Sequence, residues 1–578
     1  MGKSRATIKF VNQSPRVEVH LPDGRVLSGP RGAPVKDFLS ALPECDDPPI
    51  VGAVINGELR ELTYPVMMEA TVRPVTMGEP DGMLIYRRSL TFLMDAAFED
   101  LHREGTLTID HSVASGGFFC QVSGRQPLSQ AELAELEAHM KALVAQDIPF
   151  EKNETPLAEA IAYFQAKNHQ DKVRLLKHRR KDYLTLYRLG DHQDYHHGYM
   201  VPSTGYLRWF SLVPTDGGFT LRFPRRHAPT VLSPMPEYPK LLQTFRQYGD
   251  WLERLAIADV GALNDSIQSG HIHELILVSE ALHEQRVAEI AAKIAALRLE
   301  TQDPSIILIA GPSSSGKTTF SHRLTIQLLS QGLSPFSIEM DNYFLDRDKT
   351  PLNENGERDF ESIRALDRPR LVSDLRKLVA GDSVLLPRFN FLSGKRVTGE
   401  RIQLRPQQLI ILEGIHGLNP NLLPEMTGGQ AFRIYVSALT QLNLDSHNRI
   451  STTDTRLLRR IVRDARERGY TAKQTIQRWD AVRWGEKQNI FPYQENTDLM
   501  FNSALVYELA ALKPLAEPLL RQVALRTPEF IEAKRLLALL EWFLPLGADL
   551  IPDNSILREF IGGSILKQFK LWQNPARE

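Results

Sequence analysis

The stretch GPSSSGKTT at residues 311–319 constrains the fold of this 578-residue chain more than any other feature. It follows the run SIILIA at 305–310, which is short, apolar and rich in β-branched residues, as is typical of a strand buried on both faces of a parallel sheet. After it, apolar residues recur at helical spacing from Phe320 to Leu328, and Gly332 is a reasonable helix end. The sequence therefore predicts a strand, a tight loop and a helix in immediate succession.

The nine residues match the pattern G-x-x-x-x-G-K-[ST], in which small side chains let successive backbone N–H groups approach phosphate oxygens. The N-terminus of the following helix adds a partial positive charge, and the Lys317 ammonium would bridge the β- and γ-phosphates. A serine-rich turn is the alternative, but a strand before the loop and a helix after it disfavour that interpretation. The predicted ATP-binding residues are Gly311, Ser313, Ser314, Ser315, Gly316, Lys317, Thr318 and Thr319.

Two further apolar runs end in carboxylates. SPFSIEMDNYF (334–344) is interpreted as a strand ending at Asp341, and QLIILEGIHGL (408–418) as a strand ending at Glu413. Because the carboxyl ends of parallel strands meet at one edge of a sheet, both side chains are expected beside the phosphate loop. Taken alone, each carboxylate also fits a solvated strand end or a helix cap. The predicted Mg²⁺ ligands are Thr318, Asp341 and Glu413.

The segment TRLLRRIVRDARERG (455–469) places six arginines along one helix. Arg456, Arg459 and Arg463 share a face at i, i+3 and i+7, which suits a lid that closes over a transferring phosphate. An exposed helix whose charges are solvated or paired is the alternative. The predicted catalytic residues are Lys317, Asp341, Arg459 and Arg463.

Charge balance and cysteine content exclude several classes of protein. Lysine and arginine number 69 and aspartate and glutamate 70, which argues against a chain held to a polyanion by bulk charge. The two cysteines, Cys45 and Cys120, lie in no Cys-x-x-Cys or Cys/His pattern, so neither a disulfide framework nor a cysteine zinc site is expected. The sequence contains no 18-residue apolar run and no signal-peptide core, so we expect a cytoplasmic protein without membrane contact.

Six motifs resemble, in order, those of the uridine kinase and phosphoribulokinase family of P-loop kinases. They are GPSSSGKTT, MDNYF, RDFESIRALD (358–367), LPRFNF (386–391), ILEGIHGL and DTRLLRRIVRDARERG, spread over residues 303–510. The resemblance implies in-line transfer of the γ-phosphate of ATP, with Mg²⁺, to a hydroxyl acceptor. It also implies that Asp341 accepts the proton of an attacking 5′-hydroxyl and that Glu413 lies beside Mg²⁺. The substrate-binding residues that it implies are Tyr343, Asn390, Phe391 and Arg456.

The chain departs from the family pattern around the acceptor. Uridine kinases carry an aspartate in a Tyr-Asp-Phe sequence where this chain has Asn390 between two phenylalanines, and Ile363 replaces the family's proline. Asparagine still forms hydrogen bonds, but without a charge. The resemblance therefore implies a nucleoside rather than uridine in particular. A phosphorylated pentose is the alternative acceptor, and a pocket for it would need extra basic groups.

The first half of the chain resembles parts of the translation machinery. Residues 1–75 combine alternating strands, one amphipathic helix and a Pro-Asp-Gly turn, which predicts a small β-grasp fold that resembles a TGS domain. Residues 76–227 resemble the second, editing-type domain of threonyl-tRNA synthetase. That domain carries an H-x-x-x-H pair and a later Cys and His. The corresponding positions here are Arg88, Phe92, His196 and Met200, so neither a zinc site nor hydrolysis is expected.

The predicted fold class is multidomain, with an N-terminal β-grasp, an α+β middle domain and a C-terminal P-loop kinase domain built on a parallel sheet flanked by helices. The predicted limits are 1–75 (TGS-like), 76–227 (editing-like), 228–280 (linker and helices), 281–510 (kinase) and 511–578 (helical extension). Expected partners are ATP and a nucleoside. The basic stretch at 172–183 could contact RNA, although a solvated helix face explains it more simply. An RNA-binding translation factor with a nucleotide switch is the alternative from another class, and the two carboxylates and the arginine helix disfavour it.

Overall fold

The computed structural model describes most of the chain. The described residues are 14–43, 48–113, 116–234, 237–301, 305–352, 356, 358–390, 393–424 and 431–569. They form two compact units. The first contains 14–160, 181–234 and 524–531, and the second contains 161–180, 237–523 and 532–569.

The first unit begins with a five-stranded sheet and a short helix. These elements are β1 (Arg16–His20), β2 (Val26–Pro30), α1 (Val35–Leu39), β3 (Ile50–Ile55), β4 (Glu58–Arg60) and β5 (Ala70–Thr76). The strand order is β2-β1-β5-β3-β4, with β1 and β5 parallel. Alternation in β1 buries Val17 and Val19, and α1 buries Phe38 and Leu39 in the same core. The tight turn between β1 and β2 uses Gly24 at φ +86°, a conformation that favours glycine.

The rest of the first unit surrounds one long buried helix. Its elements are α2 (Pro80–Leu101), β6 (Thr106–Val113), β7 (Gly117–Ser123), α3 (Gln130–Ala145), β8 (Glu151–Pro156), α4 (Leu157–Ala166), β9 (Tyr183–Leu189), β10 (His192–Asp194), β11 (Ser211–Thr215) and β12 (Gly218–Arg222). Of α4, only the residues up to Ala160 belong to this unit. The strands form a four-stranded sheet, β11-β12-β7-β6, and a three-stranded sheet, β10-β9-β8. Helix α2 is buried along most of its length, and Tyr86, Leu90 and Phe92 have no exposed surface. Cys120 lies in this core as a free cysteine, whereas Cys45 is outside the described residues.

The second unit contains the predicted parallel sheet. Its elements are α5 (Gln170–Lys177), α6 (Pro239–Arg254), α7 (Val260–Ser269), α8 (Ile272–Thr301), β13 (Ile306–Ala310), α9 (Lys317–Ser330), β14 (Pro335–Glu339), α10 (Arg368–Val379), β15 (Val384–Asn390), β16 (Lys395–Ile402), β17 (Leu409–Glu413), β18 (Ala431–Ser437), α11 (Thr452–Glu467), α12 (Ala472–Asn489), β19 (Leu499–Asn502), α13 (Glu508–Arg521), α14 (Pro528–Leu540) and α15 (Arg558–Ile561). Of α14, only the residues from Glu532 onward belong to this unit. Five strands pair in the order β14-β17-β13-β18-β19, all parallel. A separate hairpin joins β15 to β16.

The central strand, β13, shows that the sheet is buried on both faces. All five residues of β13 are buried, as are the first four residues of β17, which pairs with it. Such continuous apolar runs are stable only when helices cover both faces of the sheet. The expectation of a parallel sheet flanked by helices is confirmed. Phe320, Leu324 and Leu328 are fully buried on α9, as their helical spacing predicts.

One local expectation differs from the structure. Strand β14 ends at Glu339, two residues before Asp341, because the chain tightens there into a 3₁₀ turn over Met340–Tyr343. In the helical extension, α13 continues through two prolines, Pro514 and Pro518. Pro514 has no N–H to donate to the Ala510 carbonyl, and the N–H of Leu546 donates to that carbonyl instead, at 3.0 Å.

The units also divide the chain differently from the predicted domains. The β-grasp region and the middle region belong to one unit, and 161–180 belongs to the other. Lys172 shows part of the reason why 161–180 belongs to the second unit. It is fully buried, and its Nζ lies 3.4 Å from Asp445 Oδ1 of that unit. The predicted domain limits stay predictions. Among the described residues, no helix combines the length and apolar character needed to cross a bilayer.

Candidate active site

The loop between β13 and α9 has a backbone that few side chains would permit. Gly316 has φ +85° and Ser314 has φ +59°, both in the left-handed region. A Cβ on Gly311 would collide with the carbonyl oxygen of Val436 on the neighbouring strand β18. The hydroxyls of Ser314 and Ser315 are buried and make no hydrogen bond to the described residues. The predicted ATP-binding residues thus form one compact loop with polar groups left for a ligand.

Lys317 lies at the centre of a group of carboxylates. It is the first residue of α9, and its Nζ donates to the Pro312 carbonyl at 3.2 Å. Burial raises the pKa values of Asp341, Glu361 and Glu413, and the positive charge of Lys317 opposes this rise at all three, which places the ammonium group within their electrostatic reach. A cation surrounded in this way is positioned to neutralise phosphate charge at the same place.

Two of the predicted metal ligands contact each other. The Thr318 hydroxyl donates to Glu413 Oε1 at 3.1 Å. Burial and the neighbouring Glu559, Glu339 and Asp341 carboxylates together raise the pKa of Glu413 to about 8, against the opposing charge of Lys317. A hydroxyl and a carboxylate are hard oxygen donors of the kind that Mg²⁺ prefers, so these residues fit that ion.

Asp341 lies in the 3₁₀ turn at the carboxyl end of β14. Burial raises its pKa above the ordinary 3.8, and the charges of Lys317, Arg468 and Arg463 oppose this. The neighbouring Asn342 accepts a hydrogen bond from the Phe389 N–H at 3.1 Å, which ties the turn to strand β15. Asp341 therefore lies within electrostatic reach of the loop lysine and two arginines, in a turn that is tied to the hairpin through Asn342.

The arginine helix packs directly against the back of the loop. Arg456 Nε donates to the Ser313 carbonyl at 2.9 Å, and its guanidinium is paired with Glu486. Arg459 is fully buried, donates to Glu508 Oε2 at 2.6 Å and reaches the Ser314 carbonyl at 3.4 Å. In this conformation both side chains support the loop from behind, and their predicted roles at substrate and phosphate stay predictions.

The remaining arginines of α11 lie on the side of Asp341 or at the rim. Arg460 donates to the Ser313 hydroxyl at 2.8 Å. Arg463 donates to Asp464 Oδ1 at 2.8 Å, and its charge acts on Asp341 together with that of Arg468. Among the predicted catalytic arginines, Arg463 is thus the one whose charge opposes the rise that burial causes in the pKa of Asp341.

The predicted substrate-binding residues are only partly brought together. Tyr343 is fully buried in the core below the sheet and donates to Asp374 Oδ2 at 3.2 Å, a placement that does not favour its predicted contact with substrate. Asn390 ends β15, is exposed, and accepts from the Ser393 N–H at 3.1 Å in the hairpin turn. Phe391 is outside the described residues.

Sequence reasoning missed three acidic residues of the site. Glu486 of α12 accepts from the Ser313 N–H at 2.9 Å, and Glu559 of α15 accepts from the Thr319 N–H at 3.1 Å. Burial and the charge of Glu486 raise the pKa of Glu361 to about 7. Glu361 lies in the motif RDFESIRALD and could have been singled out there, whereas Glu486 and Glu559 lie in no recognised pattern.

The four positions compared with the synthetase editing site also come together, within the first unit. Arg88 donates to the Tyr199 carbonyl at 2.6 Å, and Phe92 contacts the ring of His196 with centroids 5.4 Å apart. Met200 is buried beside them in the same core. Phe92 and Met200 thus lie in one core, and the expectation of neither a zinc site nor hydrolysis stays a prediction.

A buried acidic cluster lies next to Phe92. Ligand atoms of Asp95, His192 and Asp194 lie within 4.8 Å of one another, and His192 Nδ1 is 2.5 Å from Glu99 Oε2. Burial opposes protonation of His192, but Asp95 and Glu99 outweigh it and raise its pKa to about 10. The cluster is accounted for as an imidazolium held between carboxylates.

Comparison with known proteins separates the two halves of the chain. The sequence profile of the Phosphoribulokinase / Uridine kinase family matches residues 306–510. The threonine–tRNA ligase of Thermus thermophilus is 30% identical over 212 residues, which cover 35% of this chain and 32% of the ligase. That of Halorhodospira halophila is 32% identical over 203 residues, covering 35% and 31%. The chain spans about a third of the length of these curated relatives.

Two solved structures are similar to part of this chain. A possible uridine kinase from Bacillus stearothermophilus is 19% identical with a TM-score of 0.27, over 38% of this chain and 98% of that one. The phosphoribulokinase from Rhodobacter spheroides is 17% identical with a TM-score of 0.24, over 35% of this chain and 71% of that one. The profile match, the parallel sheet and the loop agree with one another. Residues 306–510 therefore belong to the phosphoribulokinase and uridine kinase family, in a chain whose N-terminal region is similar to threonine–tRNA ligases.

Proposed function

We propose that this protein is an ATP-dependent nucleoside kinase that transfers the γ-phosphate of ATP to the 5′-hydroxyl of a nucleoside. The observation that carries the proposal is the meeting of the phosphate loop with one carboxylate at the end of a strand and another just beyond one: Thr318 contacts Glu413, and Lys317 lies within electrostatic reach of Asp341. A loop that only holds a nucleotide does not need a base on the acceptor side.

In the proposed reaction the acceptor hydroxyl gives its proton to an Asp341 carboxylate oxygen. The acceptor oxygen forms a bond to the γ-phosphorus, the bond from that phosphorus to the β,γ-bridging oxygen breaks, and ADP leaves. Lys317 and Arg463 offset the negative charge on the transferring group. Mg²⁺ would be held by Thr318 and Glu413 and would neutralise the β- and γ-phosphates when bound.

The environment of the base favours a neutral acceptor. Asp341 is flanked by Glu339 and Glu361, and the Asp341 charge raises the pKa of each of them. Hydroxyls of either kind of acceptor can donate hydrogen bonds to carboxylates, but a phosphorylated pentose would also bring a further anion beside Glu339 and Glu361. This arrangement supports a nucleoside over a sugar phosphate.

The test is acceptor-dependent ADP release by the full chain with ATP and Mg²⁺. Uridine, cytidine, adenosine and guanosine are compared with ribose 5-phosphate and ribulose 5-phosphate. We expect release with at least one nucleoside and none above background with the sugar phosphates. Release that requires a sugar phosphate would reassign the acceptor, and release that needs only tRNA would replace the kinase with a nucleotide switch.

A further inference from the structure

The segment Ser555–Gly563 lies beyond the part of the chain that matches the kinase family, yet it contacts the phosphate loop. Glu559 Oε2 accepts a hydrogen bond from the Thr319 N–H at 3.1 Å. Thr319 is in the first turn of α9, where N–H groups have no acceptor within the helix. These are the groups with which a phosphate loop binds phosphate oxygens. A carboxylate thus occupies one of the donors that a nucleotide would use.

Three further contacts hold the segment in this place. Ile556 packs against the loop, since a Cβ on Gly316 would lie 2.7 Å from its Cγ2. The Phe560 ring lies 4.9 Å from the guanidinium carbon of Arg459. Arg466 of α11 donates to the backbone carbonyl of Glu559 at 3.0 Å. The segment therefore bridges the phosphate loop and the arginine helix.

The charge of Glu559 reaches the rest of the site. It raises the pKa of Glu413, one of the residues that fit Mg²⁺, and also that of His322 on α9, which burial lowers. A nucleotide adds several negative charges to the same place, and like charges in a partly buried site repel one another strongly. Glu559 and the phosphates of a nucleotide therefore compete for the N-terminus of α9, which carries a partial positive charge.

We propose that Glu559 is a carboxylate that the nucleotide displaces. It occupies the Thr319 N–H in the nucleotide-free protein, and the phosphates of ATP or ADP take that donor when Ser555–Gly563 moves away. Gly562 and Gly563, at φ +93° and +73°, form a pivot next to the helix that carries Glu559. The inference rests on the proposed kinase function because it presumes that the loop binds a nucleotide. It makes the C-terminal extension a determinant of how tightly ATP is bound and how fast ADP leaves.

The experiment measures ATP and ADP binding to the full chain by calorimetry for wild type, Glu559→Gln and Asp553→Asn. Asp553 is exposed and lies two residues before the segment, so its variant removes the same charge away from the loop. Losing one repulsive charge is expected to tighten both affinities about three- to tenfold in Glu559→Gln. Asp553→Asn should match wild type. Thermal unfolding of each variant shows that it is folded.

Hydrogen exchange gives a second readout that does not depend on the variants. Amides of 555–563 should exchange faster in wild type when ATP is added, because the segment leaves the loop. Unchanged or weaker binding by Glu559→Gln, or slower exchange with ATP, would overturn the inference while leaving the kinase proposal intact. If wild type binds no ATP at all, both proposals fail together.

Discussion

The Thr318 hydroxyl donates a 3.1 Å hydrogen bond to Glu413 Oε1, across 95 residues of sequence. The contact exists because β13 and β17 are neighbours in a parallel sheet, with Ile309 opposite Glu413. Parallel strands bring their carboxyl ends to one edge, so the residue that follows the loop lysine meets the residue that ends the next strand. Two oxygen donors separated in sequence thereby become one place for a hard cation.

Replacing Lys317 with alanine should remove most of the activity. Its ammonium is a positive charge that acts on all three of Asp341, Glu361 and Glu413, and loss of one charge-stabilising group typically lowers turnover about 10²- to 10³-fold. Steady-state ADP release measures the effect, and circular dichroism checks the fold. Lys377→Ala, on the exposed side of α10, is the matched control. More than half of wild-type activity in Lys317→Ala would contradict its assignment.

Asp341→Asn should lower kcat about 10²- to 10⁴-fold, since a positioned general base contributes that much. In wild type the base must be deprotonated, so activity should rise with pH along an acidic limb. That limb should lie above pH 3.8, because burial raises the pKa of Asp341. The variant should lack this limb. Asp348→Asn, an exposed neighbour, controls for the charge change, and full activity in Asp341→Asn would refute the base assignment.

Binding of Mg²⁺ with ATP should release a proton at pH 7. In the ion-free protein the pKa of Glu413 is about 8, so most molecules hold the proton there, whereas a cation requires the carboxylate. Calorimetry in two buffers of different ionisation enthalpy counts the protons released. Glu413→Gln should release fewer than wild type, and equal release by the two proteins would count against this ligand.

The carboxyl group of Glu413 should also make the stability of the protein depend on pH. Its pKa is about 8 when folded against an ordinary 4.5, so the folded state binds more protons between these values. Without Mg²⁺ its contribution to stability is therefore complete below pH 4.5 and is lost as the pH rises through about 8. Denaturant titrations from pH 5 to 8 should show that the free energy of unfolding falls in wild type and falls less in Glu413→Gln. A loss of the same size in both proteins would assign it to other groups.

Glu486→Ala should destabilise the second unit and loosen the phosphate loop. Glu486 is 1% exposed, accepts from the Ser313 N–H and pairs with Arg456, whose side chain is 3% exposed. Removing one partner of such a buried pair typically costs about 3–5 kcal/mol, because the other charge is left uncompensated. Urea unfolding measures this. Glu289→Ala breaks the exposed pair with Arg286 and should change stability by less than about 1 kcal/mol.

Local pattern was enough to predict the strand, loop and helix around residues 311–319, since each depends on its own residues. Gly311 and Gly316 are needed by the loop conformation, and the apolar spacing of α9 matches its buried face. The end of β14 was predicted two residues late because the pattern does not distinguish a strand from the 3₁₀ turn that follows it. The arginines were found as a helix face, but that face packs on the loop rather than standing open above it.

What the sequence determined by itself is the set of groups that chemistry requires: a loop of small residues, a lysine, and a carboxylate at or just beyond the end of each of two strands. The tertiary structure alone decided which other groups join them. Glu486 reaches the loop across 173 residues and Glu559 across 240, and neither lies in a recognisable pattern. The physical reason is that motifs record what the backbone does locally, whereas the charge at a site depends on every side chain that packing brings within a few ångströms.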